Sequence, residues 1–144
     1  MASFDFFKSH FKGDLVTQAE ADYLEAISRW CTTSVRRAKI VAFVRDAQDV
    51  SLALKYAVSE NLPIAIRGGG HSVSGASSIE DGLVIDLSRY LNNVTVDPRK
   101  KLAYVQAGAI WETVDKAAIQ YGLATVGGTV NHVCATSLCL GKEN

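Results

Sequence analysis

A glycine-rich stretch between an arginine and a histidine is the part of this sequence best suited to bind a ligand. It consists of Arg67, Gly68, Gly69, Gly70, His71 and Ser72. Three consecutive glycines lack Cβ atoms, so the backbone can adopt positive φ values and a ligand can approach the main chain closely. Successive N–H groups in such a turn can point into one concavity that binds an anion such as a diphosphate. A loop that only reversed the chain would need neither the guanidinium nor the imidazole.

Polar side chains around the glycines add to this predicted anion site. The hydroxyl groups of Ser72 and Ser77 can donate hydrogen bonds to a phosphate. From the local sequence, His71 is interpreted as a loop histidine that hydrogen-bonds a phosphate or the backbone. Arg67 is interpreted as an exposed charge at the end of a strand or as an ion-pair partner, with a ligand contact as its largest role.

Composition and charge narrow the classes of function. The chain has 144 residues, of which 48% are hydrophobic and 21% charged, as in a soluble globular domain. Fifteen basic and fifteen acidic residues cancel, so we expect binding neither to nucleic acid nor to a membrane. No signal peptide is recognisable at the N-terminus, which makes the cytoplasm the default location. The cysteines, Cys31, Cys134 and Cys139, lack metal-like spacing and are predicted to be buried or incidental thiols.

The elements before the glycines are predicted to form a β-α-β unit. Residues 39–44 are short, apolar and rich in strand-forming types, which predicts a buried strand. Asp46 is a good N-cap for the following helix, which is predicted to end near residues 60–61. Residues 63–66 predict a second strand that runs directly into the glycines. The loop therefore lies at the carboxyl end of a strand, where open α/β sheets usually bind ligands.

Further elements are predicted on both sides of this unit. The capping-box pattern at residues 17–20 predicts a helix that continues to Cys31. After the glycine loop, residues 82–87 predict a third strand. Residues 94–97 and 102–106 alternate around a turn and predict a β-hairpin.

A last helix and a second glycine turn complete the predicted α+β fold. Gly122 ends this helix as a left-handed C-terminal glycine, and the second turn is Gly127, Gly128 and Thr129. The apolar face of the helix is formed by Trp111, Val114, Ala118 and Tyr121. Aromatic residues are predicted to lie in the core by default, and they include Phe43, Tyr104, Trp111 and Tyr121.

The chain from about residue 37 to 132 closely resembles the FAD-binding domain of the vanillyl-alcohol oxidase and p-cresol methylhydroxylase (PCMH/VAO) superfamily. Within it, the berberine-bridge-enzyme-like oxidases are most similar. The matching segments, in order, are residues 49–50, 62–63, 67–72, 84–88, 105–109 and 127–129. The resemblance implies the N-terminal portion of an α+β FAD-binding domain. We expect a helical lead-in over residues 1–36, a partial FAD-binding domain over 37–132, and a tail over 133–144 in which the family pattern is lost.

The resemblance also implies roles for individual residues. In the family, the loop matching residues 67–72 wraps the FAD diphosphate, and the histidine matching His71 forms a covalent bond to the flavin 8α-methyl group. Many relatives form a second bond from a cysteine at the position of Val130. Valine cannot do so, which implies a single link through His71. The implied cofactor-binding residues are Arg67, Gly68, Gly69, Gly70, His71, Ser72, Ser77, Gly127, Gly128, Thr129, Asn131 and His132.

The activity implied by the resemblance is that of an FAD-linked oxidoreductase of the oxidase type. The flavin takes a hydride from a small organic substrate, at a C–H bond next to oxygen or nitrogen, and dioxygen is the acceptor. No catalytic residue is assigned, because the family's residues that act on substrate belong to a substrate domain that we do not expect in this chain. After His132, only Leu138, Leu140 and Gly141 still agree with the family's sequence pattern. The alternative is a truncated flavin-fold chain without activity of its own. A noncovalent relative, such as the reductase of peptidoglycan-precursor synthesis, is disfavoured by His71.

Overall fold

A four-stranded sheet supports the first glycine loop. In the computed structural model, which describes residues 4–135, the strand order is β1-β2-β4-β3. The strands are β1 (Asp14–Thr17), β2 (Ile40–Phe43), β3 (Ile64–Arg67) and β4 (Leu83–Asp86). β1 is antiparallel to β2, whereas β2 and β3 both run parallel to β4. The β-α-β prediction is confirmed, and β4 lies between its two strands.

Helices cover both faces of this sheet. One face packs on α1 (Phe4–His10) and α3 (Ala47–Ser59) through a cluster that includes Phe7, Leu83 and Ile85. The other face packs on the short α2 (Tyr23–Ala26). Every residue of β2 and β4 is buried, as expected of parallel strands covered on both sides.

The helix between β2 and β3 begins as its sequence predicts. The Asp46 side chain accepts hydrogen bonds from the backbone N–H groups of Gln48 and Asp49, an N-cap that typically stabilises a helix by about 1 kcal/mol. Asp49 is itself fully buried, and its carboxylate accepts the backbone N–H groups of Lys12 and Arg45. These bonds fix the start of α3 against the ends of α1 and β2.

The second part of the structure is a hairpin with one helix. β5 (Val94–Asp97) pairs with β6 (Leu102–Val105), and α4 (Trp111–Ile119) packs on them through Trp111 and Val114. Gly122 has a φ of 65° just after this helix, which confirms the predicted left-handed ending.

The structure corrects several predictions. The lead-in predicted to be helical contains β1 as well as α1, α2 and a 3₁₀ turn at Thr32–Ser34. The pattern at residues 17–20 forms a turn, in which the Glu20 carboxylate accepts the Thr17 N–H, and the helix begins only at Tyr23. Tyr104 and Tyr121 are 57% and 51% exposed, so their assignment to the core was wrong.

Within residues 4–135, no helix is long and apolar enough to cross a membrane.

Candidate functional site

A cavity of about 970 Å³ lies beside the first glycine loop, at the carboxyl ends of β3 and β4. Five segments form its wall, and two of them come from the second part of the structure. The lining residues are Trp30, Ile66, Gly68, Gly69, Gly70, His71, Ser72, Val73, Ala76, Ser77, Leu87, Ala107, Val130, His132, Val133 and Cys134. This volume lies in the range of small-molecule and cofactor sites.

At two of the three glycines, the lack of a side chain lets another segment of the protein pack against the loop. A Cβ atom on Gly68 would lie 2.6 Å from Cys134 Sγ, and one on Gly69 would lie 3.1 Å from the Cys134 backbone N. The Cys134 thiol donates a hydrogen bond to the Ala107 carbonyl. Gly70 differs, since its φ of 72° requires the left-handed region. The glycines therefore join the loop to the segment after the second glycine turn.

Three aromatic rings meet at the cavity wall. The rings of His71 and His132 are 4.8 Å apart, and Trp30 lies 5.1 Å from His71 and 5.0 Å from His132. The Trp30 side chain remains 67% exposed, so the group forms part of the cavity's open side. The structure thus brings together the histidines of both glycine turns.

The surroundings of His71 favour its neutral form. Burial lowers the pKa of His71, and the nearby His132 lowers it further, whereas a hydrogen bond with the His132 backbone raises it. The balance is a pKa below the usual 6.5. At neutral pH the ring therefore keeps a nitrogen lone pair available for bonding.

Two arginines and one buried carboxylate lie beneath the loop. Arg67 Nη1 lies 3.0 Å from Asp86 Oδ2, and the Asp86 side chain is completely buried. Arg29 is only 8% exposed. Burial and the adjacent Arg67 charge lower the pKa of Arg29 to about 10, and Asp86 opposes them. The contact with Asp86 confirms the interpretation of Arg67 as an ion-pair partner. Arg67 is not among the residues that line the cavity, so its contact with a cofactor stays a prediction.

The lead-in holds the glycine loop through three carbonyl groups. Arg29 Nε and Nη2 donate to the Ser77 carbonyl at 3.2 and 2.7 Å. The Trp30 N–H donates to the Gly70 carbonyl, and the Ser34 hydroxyl donates to the Val73 carbonyl at 2.8 Å. The shape of the loop consequently depends on a segment some forty residues earlier.

The second glycine turn packs on α4. A Cβ on Gly127 would lie 2.8 Å from the Trp111 ring, so this glycine is required by packing on α4. The Asn131 carbonyl accepts the Glu112 N–H at the start of that helix. Of the predicted site residues, the structure gathers Gly68, Gly69, Gly70, His71, Ser72, Ser77 and His132 around the cavity. It leaves Arg67, Gly127, Gly128, Thr129 and Asn131 outside the lining.

Sequence reasoning missed the residues that reach the site from distant segments. Trp30 and Leu87 line the cavity, and Arg29 supports the loop from below. The adjacent Arg29 and Trp30 were the local sequence signal that could have pointed to the role of Trp30. Cys134 was predicted to be a buried or incidental thiol, and it is buried against the glycines. Cys139 and the residues agreeing with the family at 138, 140 and 141 lie outside the described part of the chain.

Fold and site together define a dinucleotide-binding domain of the flavoprotein type, with a glycine loop at the strand ends beside a large cavity. A family model described as an FAD binding domain matches residues 38–141. The chain therefore belongs to this FAD-binding family, and relatives that match it are FAD-linked oxidoreductases. The match continues past His132, the last residue of the predicted FAD-binding domain, to residue 141.

Relatives of known sequence agree with this assignment. The FAD-linked oxidoreductase YgaK of Bacillus subtilis is 40% identical over 134 residues, covering 93% of this chain and 30% of that protein. The (R)-6-hydroxynicotine oxidase of Paenarthrobacter nicotinovorans is 28% identical over 117 residues, covering 81% of this chain and 25% of the oxidase. The chain thus spans less than a third of the length of either relative.

Solved structures share the fold. The crystal structure of 6-hydroxy-D-nicotine oxidase from Arthrobacter nicotinovorans has a TM-score of 0.84 and 27% identity, covering 87% of this chain and 27% of that one. A variant of the berberine-bridge-enzyme-like protein 1 of Physcomitrella patens has a TM-score of 0.86 at 21% identity, covering 95% and 30%. The second likeness concerns the fold alone.

Proposed function

We propose that this chain is the FAD-binding portion of an FAD-linked oxidoreductase of the oxidase type. The observation that supports it best is the position of His71, whose ring lies between the glycine loop and the rings of Trp30 and His132 on the cavity wall. When bound, FAD supplies hydride acceptance from a C–H bond of a small organic substrate and passes the electrons to dioxygen. The chain's own residues bind, orient and shield the cofactor.

The residues of the cavity fit such a cofactor. Ser77 lines the cavity, and its hydroxyl is buried with no hydrogen-bond partner among the residues described. A buried hydroxyl without a partner is costly, so a ligand that accepts from it gains affinity. The glycine backbone and Ser72 would hold the diphosphate, while apolar side chains such as Leu87 and Val133 offer a wall for an aromatic ring system.

We further propose that His71 forms a single covalent bond to the flavin 8α-methyl group. The ring is held neutral, which the attack on a carbon requires. Attachment removes one hydrogen from the methyl group and one from the imidazole, and dioxygen accepts both as hydrogen peroxide. Val130, at the position of a second attachment in many relatives, also lines the cavity and has no nucleophile to offer.

A denaturing gel tests this bond directly. The purified chain is denatured, separated, treated with acid and viewed under ultraviolet light. We expect a fluorescent flavin band for the parent chain and for His132→Ala, but none for His71→Ala. A dark parent band refutes the covalent link, and a fluorescent band in His71→Ala shows that another residue forms it.

Spectroscopy and turnover test the function itself. A purified chain that binds FAD shows the visible absorption of an oxidised flavin. Hydrogen peroxide release with small alcohols or amines as substrates would support the oxidase proposal for this chain. Binding without turnover would instead support the alternative, a flavin-binding chain that is not catalytic by itself. Absence of flavin binding would refute the proposed function.

A further inference from the structure

The charge beneath the glycine loop does not balance. Arg29 and Arg67 are both buried or nearly so, and within residues 4–135 Asp86 is the carboxylate that pairs with Arg67 and acts electrostatically on Arg29. Two guanidinium groups and one carboxylate leave one net positive charge in a region of low dielectric constant. A buried excess charge is costly unless another group compensates it.

The loop lies in direct contact with both guanidinium-bearing side chains. A Cβ on Gly70 would lie 3.0 Å from Arg67 Nε and 3.3 Å from Arg29 Cδ. Arg67 Nε is buried and has no hydrogen-bond partner among the described residues. The glycine therefore allows the anion-binding backbone to rest on the two arginines.

We propose that Arg29, which precedes the region matched by the family model, is a positioning residue of the cofactor's diphosphate subsite. Its bonds to the Ser77 carbonyl set the shape of the loop, and its charge supplies the excess that a diphosphate compensates. The proposal rests on the proposed FAD binding and adds a residue to it.

Charge and shape are separated by two substitutions at the same position. Both variants are prepared with His71→Asn, so that no covalent bond forms and FAD binds reversibly, and affinity is measured by calorimetry at pH 7. We expect Arg29→Gln to weaken FAD binding about tenfold, since a unit charge acts through a partly buried, weakly polar region. Arg29→Lys keeps the charge but loses the two-pronged donation to the Ser77 carbonyl, so it should lose less FAD affinity than Arg29→Gln. Binding of riboflavin, which has no phosphate, should be equal in all three.

Arg36→Gln is the matched control. Arg36 also donates to backbone carbonyls of the lead-in, those of Thr33 and Val35, but it is exposed. We expect its FAD affinity to equal the parent's. Equal loss in Arg29→Gln and Arg29→Lys would overturn the proposal, because it would show that the charge of Arg29 contributes nothing to FAD binding. So would unchanged FAD affinity in Arg29→Gln.

The lysine variant provides a test that does not depend on Arg29→Gln folding. A buried lysine loses its proton well below its usual pKa of about 10.4. FAD affinity of Arg29→Lys should therefore fall about tenfold relative to the parent between pH 7 and about pH 9, because the parent keeps its guanidinium charge over this range. A constant ratio over this range overturns the proposal. A parent chain that does not bind FAD at pH 7 refutes the proposed function instead.

Discussion

Replacing Asp86 with asparagine should destabilise the fold more than any exposed charge change. Asp86 is fully buried and accepts hydrogen bonds from Arg67 Nη1 at 3.0 Å, from the Ser88 N–H at 2.8 Å and from the Ser88 hydroxyl at 2.6 Å. Asparagine retains an acceptor for Ser88 but removes the anion. Arg67 then lacks its ion-pair partner, and Arg29 loses the nearby negative charge that raises its pKa.

The size of the effect follows from this burial. Breaking a buried ion pair by removing one partner costs about 3–5 kcal/mol. The Arg67 side chain is 17% exposed, so water screens part of the remaining charge. We therefore expect a loss of about 3 kcal/mol in the free energy of unfolding. For a domain with a total of roughly 5–15 kcal/mol, that is a fifth or more of its stability.

Urea unfolding at pH 7, followed by circular dichroism, measures this loss. Asp115→Asn, at an exposed position of α4, is the control and should change stability by less than about 0.5 kcal/mol. The double variant Asp86→Asn/Arg67→Met removes a cation together with the anion, and should recover at least about 1 kcal/mol. A cost below about 1 kcal/mol for Asp86→Asn, or a double variant that equals the sum of its single changes, would refute this account.

Three further predictions concern single residues. Burial lowers the pKa of His71, so the unfolded chain binds more protons than the folded chain below about pH 6.5. The free energy of unfolding should therefore fall as the pH drops through that range. His71→Ala should remove this pH dependence, as measured by urea unfolding at several pH values. Hydrogen bonding by Tyr90 lowers the pKa of Asp14, whose contribution is present above pH 3.8 and lost at lower pH; Asp14→Asn should flatten the acid end of the stability profile. Gly127→Ala places a methyl group 2.8 Å from the Trp111 ring and should cost about 1–3 kcal/mol in urea unfolding; an unchanged midpoint would contradict the packing role.

The parts of the fold that local sequence determines were predicted well. The Asp46 cap, the strand before the glycines and the turn at Gly122 each depend on residues within a few positions of one another. Burial on both sides made β2 and β4 continuously apolar and so recognisable. The glycine loop could be placed because it directly follows a strand.

The rest depends on contacts between distant segments. β1 is a strand because it pairs with β2, and nothing within residues 14–17 requires that. Arg29 reaches Ser77 across 48 positions, so its burial has no local signature. Tyr104 was assigned to the core from its residue type, but the exposed face of its hairpin has no covering element among residues 4–135. For the cofactor site, the sequence identified the loop, whereas its supports came only with the structure.

The central position of β4 has a consequence for biosynthesis. β2 and β3 each pair with β4 and not with each other, although both precede it in the chain. A nascent chain that has just emerged through the glycine loop therefore has two parallel strands with no partner between them. The sheet closes only when Leu83–Asp86 leaves the ribosome, and the same segment delivers the carboxylate for the arginines. The segment that completes the sheet therefore also supplies the ion-pair partner of Arg67.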